Sequence, residues 1–309
     1  MSKTIRKTAL DRKMDRLLAL EEQGKLKTHL ASRAVRKIMA NKLAVIGLIL
    51  FIVILVLSIA APLFTQYSST QLDLRSKLTG PNELHLFGTD QLGRDIWARM
   101  LYGGRISILV GFGSAIGAAL IGVTLGIYVG YKGGWLDSLI LKFSEIFMAF
   151  PQIIIILIVM AITKASLTNI VVIFILTGWP SMYRMTRSQI LSIKEQDYIQ
   201  ALRAFGIGDL KICFKHMLPN AIGPIFVNIT LSTAMFILQE SALSYLGLGV
   251  PPEVATWGNI LNIVNGRFDY IQQYWWLWVP TGAMLTIFIL AINFIGDGLR
   301  DASDPTQLG

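Results

Sequence analysis

Six apolar stretches constrain this chain more than any motif, at roughly Leu43 to Phe64, Ile106 to Gly130, Leu136 to Ile162, Asn169 to Arg187, Ala221 to Leu246 and Trp275 to Gly296. Each is long enough for a helix to cross a hydrocarbon core of about 30 Å. With 53% hydrophobic and 15% charged residues, the whole is too apolar for a soluble domain. The expected fold is all-α and polytopic, with six transmembrane helices and connecting loops.

Six crossings leave both ends on one side, and basic residues decide which. The tail, the turn near Lys132 and Lys142, the segment from 184 to 220 and the C-terminus carry 21 Lys/Arg, against 7 on the other face. Both termini are therefore expected in the cytoplasm. The net charge of +9 is not a nucleic-acid signal, since residues 1–42 alone hold 12 basic and 4 acidic residues. Those 42 mostly polar residues precede the first apolar run, so no cleavable signal is expected. Leu10, Met14, Leu17 and Leu18 mark one helical face there, which suits either a helix on the anionic leaflet or a solvated tail.

Between the fourth and fifth stretches lies a polar island, Glu195 to Pro219. Tyr198, Ile199, Leu202 and Phe205 recur at helical spacing, with Gln196, Asp197, Gln200 and Arg203 opposite. Gly206 and Gly208 free the backbone for a turn, and Asp209 stands where a cap would. Leu210, Cys213, Phe214 and Met217 then repeat the pattern up to Pro219, where a second short helix is expected to stop. Two short helices at a tight turn make either a knob for another protein's groove or an ordinary solvated loop. Cys213, the single cysteine, excludes an internal disulfide and reads as a packed thiol.

Exceptions inside the spans carry further information. Gly113/Gly117, Gly122/Gly126 and Gly126/Gly130 lie four apart in the second span, which should make it central. Pro151 and Pro180 each remove a backbone hydrogen bond, either kinking a helix beside a pathway or serving packing. Lys142 and Glu145 pair or snorkel, and snorkelling is the simpler reading. Glu240, in the outer half of span five, is either a contact of the translocation path or an acid that fixes helix packing through hydrogen bonds. On the outer face, Thr89 or Asp90 is placed to cap a short interfacial helix bearing Ile96, Trp97, Met100 and Leu101. Trp257, Trp275, Trp276 and Trp278 cluster where an outer aromatic belt belongs.

Several chemistries lack their motif. Gly24-Lys25 is followed by Leu26 with no glycine five positions earlier, so the chain has no phosphate loop with which to hydrolyse ATP. HExxH, CxxC and GxSxG are missing, and His29, His85 and His216 are scattered. A secondary transporter would bury several ionisable groups, whereas Glu240 is nearly alone.

The island resembles the cytoplasmic loop of bacterial ABC importer permeases, in which Glu-Ala-Ala and a later Gly precede a stretch ending in Leu-Pro. The matching positions are Gln200, Ala201, Leu202, Gly206, Leu218 and Pro219, with Gln200 in place of the acid and Leu202 in place of the second alanine. Phe87 to Asp95 with Arg105-Ile-Ser107, His216-Met-Leu-Pro-Asn220, Leu243 to Gly249, Trp257-Gly258, Gly296 to Asp301 and Asp304-Pro305 extend the likeness from about Asn41 to Pro305. Together they resemble the C-type permease of oligopeptide and dipeptide importers.

That resemblance implies a type I ABC importer permease in a bacterial inner or plasma membrane. Its expected partners are a homologous second permease, two ATPase subunits that carry ATP and Mg, an extracytoplasmic substrate-binding protein and the bilayer, with no cofactor on this chain and no nucleic acid. The loop 188–220, with Arg203, Asp209 and His216 among its residues, would couple to the ATPases. The implied organisation is a cytoplasmic tail at 1–42, a first span at 43–64, an outer loop at 65–104, a five-helix core at 105–296 and a cytoplasmic tail at 297–309. Peptide is the expected cargo, and nickel and glutathione importers share the permease type.

Overall fold

The computed structural model describes residues 36–163 and 165–303. The helical face at Leu10 to Leu18 and the Asp304-Pro305 pair lie outside them. The described chain is helical, relieved by an isolated antiparallel bridge between Thr89 and Asp95. Its elements are α1 (Lys42–Ile59), α2 (Ala61–Phe64), α3 (Ile96–Lys132), α4 (Gly134–Ala149), α5 (Gln152–Ile162), α6 (Leu167–Lys194), α7 (Asp197–Ala204) and α8 (Asp209–Lys211). A π-helical turn (Ile212–Met217) leads into α9 (Leu218–Tyr245), followed by α10 (Trp257–Leu261), α11 (Phe268–Gln273) and α12 (Val279–Ser303).

Four stretches are long and apolar enough to cross a membrane: Lys42–Ile59, Ile96–Lys132, Asp209–Tyr245 and Trp275–Ser303. The pair α4 and α5, bent by 80°, makes a fifth when counted as one broken span. Pro151 sits in that break as the residue before α5, where its missing N–H costs nothing. The remaining predicted stretch, the fourth in chain order, is α6, 28 residues long, which Pro180, Arg184 and Arg187 make less apolar than the others. Six crossings are consistent with this arrangement.

The helix α3 is central, and its closest neighbour is α6. A Cβ on Gly126 would meet Thr186 Cβ at 2.7 Å and the Tyr183 carbonyl at 2.9 Å, and one on Gly130 would meet Arg187 Cγ at 3.2 Å. Only glycine lets the two backbones come this near. Gly117 lies against Ile175, whereas Gly113, named with it from the sequence, faces open space.

The predicted interfacial helix is not separate. It is the first part of α3, which runs unbroken for 37 residues. Its cap is Asp95, whose Oδ1 accepts from Ala98 N at 2.7 Å, and not Thr89 or Asp90. Asp90 instead closes the preceding turn, accepting from Leu92 N at 2.8 Å and from Arg94 Nε at 2.6 Å. Trp257 also departs from expectation: it is fully buried, edge-on to Phe288 at 5.2 Å, while Trp275 and Trp278 stay exposed. Lys142 and Glu145 are both exposed, with no ion pair between them.

Helix α1 packs on α12. Asn41 caps α1 through Leu43 N at 3.1 Å and donates from Nδ2 to Asp301 Oδ2 at 3.0 Å. The start of α1, the ends of α3, α6 and α12, and the island between α6 and α9 therefore share one pole. The loop 65–95 and α10 occupy the other.

Candidate functional site

The island folds as a knob. Helix α7 ends in a Schellman motif: Gly206, at φ +72, donates to Arg203 O at 2.9 Å, and Ile207 N donates to Leu202 O at 3.1 Å. Leu202 and Ile207 pack against a core made of Ile199, Ile212, Cys213 and Met217 with Ile127 and Tyr131 of α3 and Ile190 and Ile193 of α6. The two helical faces predicted from the sequence split accordingly. Ile199, Cys213 and Met217 point inward, but Phe205 is 83% exposed, Leu210 62% and Phe214 41%, so the tip of the knob is apolar and open.

The other expected residues line up around this tip. Gln200 is exposed, and its Nε2 donates to Lys194 O at 3.1 Å, closing the end of α6. Ala201 is exposed, and its carbonyl receives Phe205 N at 3.0 Å. Asp209 is the first residue of α8 and caps nothing with its side chain; Gly208 precedes it. His216 is half-buried, and its carbonyl accepts from Asn220 Nδ2 at 2.7 Å, while the same amide donates to Tyr198 Oη at 2.9 Å. Burial raises the Tyr198 phenol above its ordinary value, with the Asn220 contact pulling the other way.

The second helix does not stop at Pro219. It runs from Asp209 to Tyr245 as one stretch. The π-helical turn is the reason: Leu218 N reaches back five residues to Cys213 O, and the wide turn sets Leu218 and Pro219 in the first turn of α9, where proline is harmless.

Tyr131 was not singled out from the sequence, yet it anchors the knob. The Arg203 guanidinium lies 5.6 Å from its ring centroid, Lys194 Nζ lies at 5.6 Å, and Lys194 also donates to the Tyr131 carbonyl at 2.5 Å. Nearby, Arg187 forks onto Asp137, with Nε to Oδ1 and Nη2 to Oδ2 both at 2.6 Å, and Tyr183 Oη donates to Oδ1 at 3.1 Å. This pair ties α4 to α6. An acid at the start of one span and a base late in another, 50 residues apart, give no sequence signal.

At the other pole Glu240 is fully buried. Ser107 Oγ donates to Oε2 at 3.1 Å, Ser244 Oγ to Oε1 at 2.8 Å, and Ser241 Oγ lies 3.4 Å from Oε2. Each of two hydroxyls also takes a backbone N–H: Ser107 from Trp257 N, the first residue of α10, at 3.2 Å, and Ser244 from Val250 N in the loop before it at 3.4 Å. The carboxylate thereby fastens α3, α9 and the loop before α10 into one polar knot. A Cβ on Gly258 would meet the Ser241 carbonyl at 2.6 Å, which is why the Trp257-Gly258 step fits there. Of the other candidates, Pro180 is buried inside α6 and Pro151 is exposed at the break. Neither touches the knot.

Outside the spans, the loop 65–95 is held by local bonds. His85 Nδ1 lies 2.9 Å from Asp95 Oδ2, and Tyr67 stacks on the imidazole at 4.9 Å. The Ser76 hydroxyl and Arg75 N–H hold the Asp73 carboxylate below its ordinary range.

Membrane-length helices around a glycine-lined seam, with a projecting knob at one pole and a loop cap at the other, define a polytopic helical membrane protein. Residues 122–308 match the family described as the binding-protein-dependent transport system inner membrane component, and residues 30–81 match the N-terminal TM domain of oligopeptide transport permease C. The chain belongs to the first of these families and is a permease component of the ABC importer type, a class that is not itself catalytic. It is 39% identical over 272 residues to the dipeptide transport system permease protein DppC of Alkalihalophilus pseudofirmus, covering 88% of each chain. It is 37% identical over 285 residues to the oligopeptide transport system permease protein OppC of Bacillus subtilis, covering 92% of each. A solved structure of inward-facing conformations of the MetNI methionine ABC transporter shares its fold, at TM-score 0.54 and 22% identity over 67% of this chain and 97% of that one.

Proposed function

We propose that this permease carries peptides into the cell and that its knob takes the stroke of partner ATPase subunits. The relatives' names, dipeptide and oligopeptide permeases, support the cargo. The observation that carries the mechanism is the open apolar tip at Phe205 and Leu210 on a base welded to α3 through Tyr131. A partner's groove that takes this tip would move α3, α6 and α9 together.

In this reading a homologous second permease completes the path, two ATPase subunits hold the ATP and Mg, and an extracytoplasmic binding protein delivers the cargo. This chain needs no cofactor of its own. Both termini and the knob face the cytoplasm, a reading supported by the basic residues and by the common pole of Asn41, Asp301 and the knob. Glu240 serves packing, since serine hydroxyls of this chain enclose it.

The test is Phe205→Asp in the assembled transporter. Its side chain is exposed, so the chain should insert and assemble while substrate-stimulated ATP hydrolysis and peptide uptake fall together. Full stimulation would show that the tip is not the coupling element. Competition of uptake by peptides, nickel and glutathione identifies the cargo, and uptake that survives an uncoupler but not ATP depletion dismisses an ion-coupled carrier.

A further inference from the structure

Two stripes of polar residues run along α6 and α9; they meet α5 at one end and leave several of their side chains open. On α6, Thr177, Ser181 and Ser188 fall four and seven apart on one face; Ser181 and Ser188 are exposed, and Thr177 is half-buried. On α9, Asn228, Ser232 and Gln239 fall likewise within one narrow arc, all half-buried, beside Met235, which is 54% exposed. The stripes are joined at one end through α5. Gln152 Nε2 donates to Thr177 Oγ1 at 2.9 Å, and Gln239 Nε2 donates to Gln152 Oε1 at 3.2 Å. Gln239 Oε1 is left buried with no partner among the described residues. At the other end they flank an open cavity of about 470 Å³ between Gln189 and Asn228, with Arg300 among its lining residues.

These residues lie in the middle of membrane-length helices. Hydrocarbon offers amides and hydroxyls no hydrogen bonds, so partly open polar stripes belong against water, cargo or a polar protein surface. Hydroxyls and amides also hydrogen-bond between packed membrane helices, so the face of a second permease is the competing occupant that the test must separate from cargo. One fixed charge, exposed Arg184, stands on the α6 stripe between Ser181 and Ser188, and Arg300 lines the cavity. Resting on the reading of the chain as a peptide permease, we propose that the two stripes line the route of the cargo, and that Gln239, Gln152 and Ser232 hold it by the peptide groups of its backbone. Amides and hydroxyls recognise what every peptide shares and ignore the charge of its side chains. Gln239 Oε1 holds an unused acceptor beside its contact with Gln152, which a turn of the side chain would present to a backbone N–H.

The test uses the complete transporter in vesicles, with single cysteines at Ser181, Ser232 and Gln239 and a control at Ile49, an exposed apolar residue of α1. Labelling by a small hydrophilic thiol reagent is read on this chain by mass spectrometry, with buried Cys213 as the unlabelled baseline. The three positions should label, the control should not, and both nucleotide binding and transported peptide should change the rates. A second variant, Gln239→Leu, should lower peptide uptake about fivefold with normal complex yield, the loss expected for one hydrogen bond. Absence of labelling in every nucleotide state overturns the proposal and assigns the stripes to packing against the partner. So does an unchanged uptake rate in Gln239→Leu. Failure of the peptide reading is seen separately, as labelling that nucleotide alters and peptides do not, with no peptide uptake by the parent complex.

Discussion

The guanidinium of Arg203, on the knob, lies over the ring of Tyr131 at the last turn of α3, 5.6 Å from its centroid. This contact joins the most exposed part of the chain to its most central helix. The Tyr131 hydroxyl makes no hydrogen bond among the described residues, although the Asp209 carboxylate is nearby. Tyr131→Phe should therefore leave stimulated ATP hydrolysis near the parent's. Tyr131→Ala should reduce it with assembly intact, through loss of stacking worth about 0.5–1 kcal/mol per cation and of the packing beneath it. ATPase assays on both variants decide whether the ring transmits motion.

Gly206 is in open space, and its φ of +72 is the reason for the glycine. Gly206→Asn should be tolerated. Gly206→Val should cost about 1–2 kcal/mol at that turn and expose the knob to protease. Equal proteolysis rates for the two variants would show that the Schellman turn does not hold the knob.

Glu240→Gln keeps one acceptor oxygen for a serine hydroxyl and offers its N–H to the other serine oxygen, so it should assemble and transport almost normally. Glu240→Leu should lower complex yield, because Ser107 and Ser244 would each lose an acceptor at about 1–3 kcal/mol for a buried unsatisfied group. Yield and uptake measured together test this. A Gln variant that assembles but does not transport would assign the carboxylate to the path.

The seam of α3 predicts opposite outcomes for two glycines. Gly126→Leu should destabilise the chain by about 1–3 kcal/mol through overpacking against Thr186 and Tyr183. Gly113→Ala meets nothing within 4 Å and should be neutral or slightly stabilising in the helix. Thermal unfolding in detergent compares them.

Orientation is read by accessibility. A cysteine at Ser192, exposed near the knob, should react with an impermeant reagent only after the inner side is opened, and one at Thr70, exposed in the outer loop, should react in intact cells. The reverse pattern would invert the topology.

The knob and the seam were legible in the sequence because helical spacing and four-residue glycine repeats are local signals. Ile199, Cys213 and Met217 turned inward as their periodicity implies, and Gly122, Gly126 and Gly130 faced one partner helix. Periodicity cannot say which apolar residues of a short helix are surplus to its own core, and Phe205 is one of those. Pro219 read as a stop because the π-helical turn that accommodates it has no propensity signature. Trp257 read as a belt residue from its neighbours, whereas its Nε1 donates to Met100 O at 3.1 Å deep inside. The Asp137–Arg187 fork and the serines around Glu240 bring together residues far apart in the chain, and single-sequence patterns carry no record of such pairs.

The six-residue π-helical turn also has a consequence for register. A turn of this kind holds one residue more than an α-helix needs, so it rotates everything beyond it by about 100°. Deleting one residue between Ile212 and Met217 would swing Ser232, Gln239 and Glu240 around the helix axis together, taking the carboxylate away from Ser107. The knob and the polar knot thus belong to a single shaft, about 55 Å long from Asp209 to Tyr245, whose angular setting is fixed beside the knob rather than along the apolar length of the helix.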